Sequence, residues 1–252
     1  MTEEPTNLPA PAEFEWLIYA DATFAGLSLL IPIPLVDLAF EWYFRQRIGP
    51  AIGRRRGRPL SSAVIKQLNK GEGCLGGCLG LPFKLAFELL KRLSRKILYF
   101  LTIKEATDQL SSYWHRAYLL DHMIRSGYLA DHTLSQTAVD ALNEVLDHPH
   151  ISPLNQLAHR IVTGVSHIFR TLRRVRGGEE DEVVKDARSL MARNWDNFSD
   201  YFVELTAEYE KTFGRLREAT ANSLQLVVNS EQLAVDSEQL AGGSSPPVET
   251  DG

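Results

Sequence analysis

The sequence predicts an all-α protein: a helical bundle of long amphipathic helices preceded by an apolar helical hairpin or a single membrane-associated helix. Three observations predict it. From about residue 85 to 216, apolar residues recur at spacings of three and four, the period of a helix with one face on a core. No segment alternates with period two for long enough to make a strand. Apolar content of 44% and charged content of 23% are those of a folded chain, and 252 residues suffice for a sizeable core.

The first dozen residues, acidic and Pro-rich, read as a disordered leader, with no positive n-region of a secretory signal. Two apolar segments follow. The first, Trp16 to Tyr43, holds an uncharged run from Ala22 to Val36 that Pro32 and Pro34 interrupt. A spanning helix needs about 20 apolar residues, which this segment reaches only by including Asp21. It is therefore a marginal span or half of a hairpin turned at the prolines. The second apolar run, Gly73 to Phe83, is too short to span. Its Gly73, Gly76, Gly77 and Gly80 form two overlapping Gly-xxx-Gly pairs suited to close helix packing.

After Pro82 the spacing predicts a basic amphipathic helix over Lys84–Leu101. Thr102 and Glu105 have the pattern of a capping box, which predicts a new helix there, running to Ser126 with Gly127 past its end. Its apolar stripe is Ala106, Leu110, Tyr113, Ala117, Leu120 and Ile124. A further helix is expected over Leu134–Leu146. Ser152 and Pro153 form an N-cap and first-turn pair for the next, striped by Leu154, Leu157, Ile161, Val165, Ile168, Leu172 and Val175. Gly177 and Gly178 break it, and the acids Glu179–Glu182 suit the start of a last long helix from Met191 through Trp195, Phe198, Phe202, Leu205, Tyr209 and Phe213 to Leu216. One heptad repeat puts Leu226, Leu233 and Leu240 in a coiled-coil register too short to hold alone, so the tail reads as a frayed helix. The resulting organisation is a leader (1–12), a basic membrane-associated region (13–104), a bundle (105–219), and a frayed helix with a disordered tail (220–252).

Charge is distributed unevenly. Between Trp42 and Lys104 lie fourteen Lys and Arg against Glu72 and Glu88, a net +12, in a chain whose total is −5. That asymmetry points to an anionic partner, a lipid surface or nucleic acid. The basic stretches adjoin the two most apolar runs, and Trp16, Tyr19, Trp42 and Tyr43 flank the first as an interfacial aromatic belt would. Lipid is the favoured partner, with contacts expected from Trp16, Leu29, Leu30, Pro32, Pro34, Trp42, Arg54, Arg55, Arg56, Arg58, Lys91, Arg92, Arg95 and Lys96. Nucleic acid is the alternative partner, through the same basic region.

No catalytic motif, phosphate loop or cofactor signature occurs, so neither a reaction nor a cofactor is expected. Cys74 and Cys78 are neither a disulfide framework nor a zinc pair with a second half, and they fit a reducing compartment. All seven histidines fall within 53 residues, and Asp108, His115 and His122 share one helical face at heptad spacing. A metal would need ligands converging from two helices. Because that face lies opposite the apolar stripe, the reading is of solvated surface histidines, with no metal.

The run Leu30-Ile31-Pro32-Ile33-Pro34-Leu35-Val36-Asp37, with Arg45–Gly49 and Gly57–Ser61 after it, resembles a stretch of bacterial EcsC-like and related membrane-associated helical proteins. There, a Pro-rich apolar turn and an Asp precede a helix that ends in a basic, Gly-containing segment. The turn glycines usual in those proteins are missing here. The resemblance implies a bacterial, membrane-associated, non-catalytic protein and brings no site residues; the basic residues beside the first apolar segment point to the cytoplasmic face of the membrane. The function expected is that of a scaffold or accessory protein with a protein partner; the other readings are a soluble nucleic-acid-binding protein and a helical metal-binding protein.

Overall fold

The computed structural model describes residues 14–31, 36–69, 95–147, 152–172 and 180–242. Over these residues the protein is all-helical: α1 (Trp16–Leu27), a 3-10 turn (Ser28–Leu30), α2 (Val36–Arg55), α3 (Ser62–Leu68), α4 (Arg95–Ser126), α5 (His132–Asp147), α6 (Pro153–Leu172), α7 (Glu180–Asn194), a second 3-10 turn (Asp196–Phe198) and α8 (Ser199–Gly242).

The expected long apolar segment Trp16–Tyr43 is not one span. It is divided between two helices, and none of the described helices is long and apolar enough to cross a membrane. α1 and α2 form an antiparallel hairpin, as the pairs Phe24–Phe44, Asp21–Arg47 and Glu15–Arg55 show. One side of α1 is small, with Ala22, Ala25 and Gly26 buried, which allows α4 to approach closely. A Cβ at Gly26 would stand 2.5 Å from the Leu110 Cα, so the two backbones meet there without room for a side chain.

α4 is the central helix. The predicted stripe from Ala106 to Ile124 is buried as expected, but over the middle of the helix so is every other face: residues 113 to 124 are buried without exception. α1, α2, α6 and α8 all pack against it. The helix also runs unbroken through Thr102 and Glu105, so no new helix starts there. Helix propagation through Ile103, Ala106 and Thr107, which are buried, overrides the local capping signal. The end at Gly127 is as expected. Gly127 has φ +80°, the Tyr128 amide donates to the Met123 carbonyl (3.0 Å) and the Gly127 amide to Ile124 (3.2 Å), a Schellman closure.

α5 is found within two residues of expectation, and Ser152 caps α6, its hydroxyl accepting from the Leu154 amide at 3.0 Å. The last long helix is interrupted. α7 ends at Asn194, and a 3-10 turn separates it from α8. Trp195 at the break is buried against Phe14, Tyr19 and Phe202, ring centroids 4.6 to 5.2 Å apart, so the aromatic core holds the bend. α8 continues unbroken to Gly242, through the segment expected after 219 to be a frayed helix.

Candidate interaction surface

The first two turns of α2 present apolar side chains to solvent. Val36, Leu38, Phe40, Trp42 and Tyr43 are each at least 37% exposed, with Trp42 the highest at 56%. The cause lies in the helix itself. Ile48, Gly49, Ile52 and Gly53 bury its second half, and Glu41, which accepts from the Tyr113 hydroxyl at 2.7 Å, turns the same side of the first half inward. At 100° per residue, Ala39, Phe40 and Tyr43 then face outward. Phe44 touches Phe40 and Tyr43, with centroids 4.6 and 5.1 Å away, and meets Phe24 of α1 at 5.0 Å. Leu29, Leu30 and Ile31, at the tip of the hairpin, are half-buried. Along the hairpin the surface therefore changes in order: aliphatic at the tip, aromatic at Phe40–Tyr43, and cationic from Arg47 to Arg55.

The cations are not free. The Arg47 guanidinium lies 5.2 Å over the Tyr43 ring, donates to its hydroxyl (2.8 Å) and pairs with Asp21 at 3.4 Å. Asp21 is itself buried. Burial pushes its carboxyl above the usual carboxylate range, and Arg47 and then Arg54 oppose that shift. Arg55 pairs with Glu15 at 2.9 Å. Arg56 grips Asp121 of α4 with two bonds of 2.6 and 3.0 Å, while Arg125 reaches the same carboxylate at 3.1 Å. Arg58 donates to the carbonyls of Ile124 and Arg125 (2.9 and 2.8 Å), capping the negative end of α4.

The expected contact residues thus divide. Trp42 and Arg54 are exposed. Trp16, Leu29 and Leu30 are half-buried and pack on the core. Arg55, Arg56 and Arg58 are engaged within the protein. Arg95 and Lys96 lie in the first turn of α4. Pro32, Pro34, Lys91, Arg92, Gly73, Gly76, Gly77, Gly80 and both cysteines lie outside the described residues. Sequence reasoning missed Val36, Leu38 and Phe40. For Val36 the helical phase opposite Ile48 and Ile52 was a signal; Leu38 and Phe40 lie to the sides of that stripe and carried none.

The histidine reading needs correction. His115 and His122 are buried, His122 to 1% exposure, because α8 covers the face of α4 opposite the apolar stripe. His115 Nδ1 faces the Ser111 carbonyl (2.6 Å), so in the neutral ring Nδ1 carries the proton and Nε2 accepts from the Tyr201 hydroxyl (2.5 Å). His122 Nε2 meets Glu210 at 2.5 Å, and the Tyr128 hydroxyl donates to the same carboxylate at 3.0 Å. Burial, then that carboxylate, raise the Tyr128 phenol to about 12. Asp108 is exposed. Among the described residues no group of three His, Cys, Asp or Glu could hold a metal.

No protein-family model matches the chain, and no curated protein or solved structure matches it either, so the resemblance to EcsC-like proteins gains no support from them and function rests on the geometry of the hairpin.

Proposed function

We propose that the protein is a peripheral, membrane-associated helical accessory protein: the α1–α2 hairpin attaches it to a bilayer surface, and the bundle faces away to receive a protein partner. The observation that carries this reading is the exposed run Val36, Leu38, Phe40, Trp42 and Tyr43 in two helical turns. Scattered exposed apolar residues need no explanation, whereas a contiguous group of five, three of them aromatic, marks a contact surface. Trp and Tyr in particular favour the level of lipid headgroups.

The strength fits a reversible attachment. Five half-exposed side chains that each regain about 1 kcal/mol on losing water give about 5 kcal/mol in all. That matches a single acyl chain, with an association constant of about 10⁴ M⁻¹. Such a protein associates and leaves without spanning. When membranes from expressing cells are pelleted, the protein is expected in the pellet, retained through a high-salt wash, and released by alkaline carbonate or detergent. Leu38→Glu and Trp42→Glu are expected to shift it to the supernatant. Recovery of the unaltered protein in the supernatant before any wash would overturn the proposal.

A further inference from the structure

Resting on that reading, we infer that the hairpin docks end-on into the acyl boundary of an electrically neutral lipid surface, and that its arginines clasp the fold rather than bind anionic headgroups. The argument starts from charge. Residues 14–58 carry six arginines and only the acids Glu15, Asp21, Asp37 and Glu41, which by sequence makes them a basic anchor. In the folded protein Arg47 is paired with Asp21, Arg55 with Glu15 and Arg56 with Asp121, and Arg58 closes the carbonyl end of α4. Binding an anionic headgroup through these arginines would mean breaking contacts already made in the protein. Arg45 is half-buried and also engaged within the protein, and Arg54 adds only one exposed cation.

The second argument is the order of side chains along α2. Val36, Leu38, Phe40, Trp42 and Tyr43 occupy eight residues, about 10 Å of helix at 1.5 Å per residue. Arg45 follows two residues after Tyr43, Arg47 one turn after it and Arg54 about 16 Å beyond it. A surface lying flat on a bilayer would mix these classes across one face. Two acids interrupt the apolar stretch, Asp37, whose carboxylate accepts from the Leu38 amide at 2.8 Å, and Glu41, which Tyr113 holds against the core. Apart from them the side chains form one axial gradient from aliphatic to aromatic to cationic that matches the profile of the interface along its normal, and the apolar length matches the 5–10 Å depth to which interfacial helices enter. A protein partner offers no such one-directional gradient. It would be met by an apolar centre with a polar rim on all sides.

The test uses the full chain and flotation with vesicles of phosphatidylcholine alone, or with phosphatidylserine added. Binding to the neutral vesicles is expected, changing less than about threefold between about 50 and 500 mM salt. Trp42→Glu and Leu38→Glu are each expected to lose more than about tenfold of that binding, which is roughly the effect of removing one well-buried contact. Both positions are exposed, so circular dichroism should show the helical fold intact. Arg54→Gln is expected to stay within about twofold on either vesicle, since one exposed cation contributes little. Binding only to the phosphatidylserine vesicles, collapsing with salt, would overturn this inference and leave the membrane reading standing. Neutral binding that survives Trp42→Glu would also overturn it. Binding to neither vesicle, with light scattering showing a dimer or a monomer, would sink both.

Discussion

The most consequential single residue is Asp121. It is 1% exposed and receives three bonds, two from Arg56 and one from Arg125, so it fastens the α1–α2–α3 region to the central helix. Replacing the carboxylate with an amide leaves the half-buried Arg56 guanidinium with only its longer pair to Glu15, at 3.5 Å. Loss of one partner of a buried pair costs about 3–5 kcal/mol, and the partial exposure of Arg56 lowers this to about 2–4 kcal/mol for Asp121→Asn in denaturant unfolding. A change below about 0.5 kcal/mol would show the clasp to be idle. Asp21 acts in the opposite sense. Its folded-state carboxyl is raised, chiefly by burial, above the ordinary 3.8. The ionised form is therefore disfavoured in the folded protein, and stability attributable to this group falls as pH rises through its raised pKa. Asp21→Asn is thus expected to be more stable than the parent at neutral pH. The difference should shrink to nothing below the ordinary carboxylate pKa, where both side chains are uncharged. Equal stabilities at neutral pH would contradict the sign of the shift.

At the scale of elements, what the sequence showed and hid follows from how far apart the partners lie. The helical stripes were legible because they are local: Ala106 to Ile124, Leu154 to Ile161 and Met191 to Phe213 are buried where their spacing puts them. The Gly127 and Ser152 ends were legible for the same reason. The second buried face of α4 was not. Ser111, His115, Tyr118 and His122 look like a solvated face until Tyr201, Thr206 and Glu210 arrive from 86 to 88 residues away. The arginine cluster looked like a surface patch for the same reason, since its acid is 65 residues further on. The close approach of α1 and α4 was equally hidden, because Gly26 carries no pattern that separates it from other glycines in an apolar run. Its role is testable. In Gly26→Ala the new methyl would meet the Leu110 backbone, which cannot yield as a flexible side chain could. The two helices must separate, at a cost of about 1–3 kcal/mol, typical of overpacking. Gly214 is the control on α8: a Cβ there meets nothing within 4 Å. Gly214→Ala is expected to be neutral or to stabilise by about 0.5–1 kcal/mol through helix propensity. A Gly26→Ala variant as stable as the parent would mean that the α1–α4 contact is looser than its geometry.

For the whole molecule, the basic and acidic stretches of sequence are parts of one body. α4 crosses the boundary between them as a continuous helix. Trp114 donates from its indole nitrogen to Thr23 at 3.0 Å, Arg116 donates to the Leu68 carbonyl at 2.5 Å, and Gln67 and Ser135 tie α3 to α5 at 2.9 Å. These contacts join elements far apart in sequence through buried or half-buried groups, the arrangement that makes opening cooperative. Native-state hydrogen exchange is therefore expected to give the slowest amides of α1 and of α4 nearly the same opening free energy. Asp121→Asn should lower both by the same about 2–4 kcal/mol, because the clasp belongs to neither alone. A hairpin that opened several kcal/mol more easily than α4 would instead be an independent unit. The distinction bears on how the protein reaches a bilayer. A hairpin locked to α4 brings its tip to the lipid as part of a rigid body, with no cost of ordering at the surface and no exposure of the Ala22–Gly26 side of α1. On neutral vesicles, exchange should then slow over Val36–Tyr43 and stay unchanged in α4. Faster exchange in α4 on binding would mean that the hairpin leaves the bundle to insert.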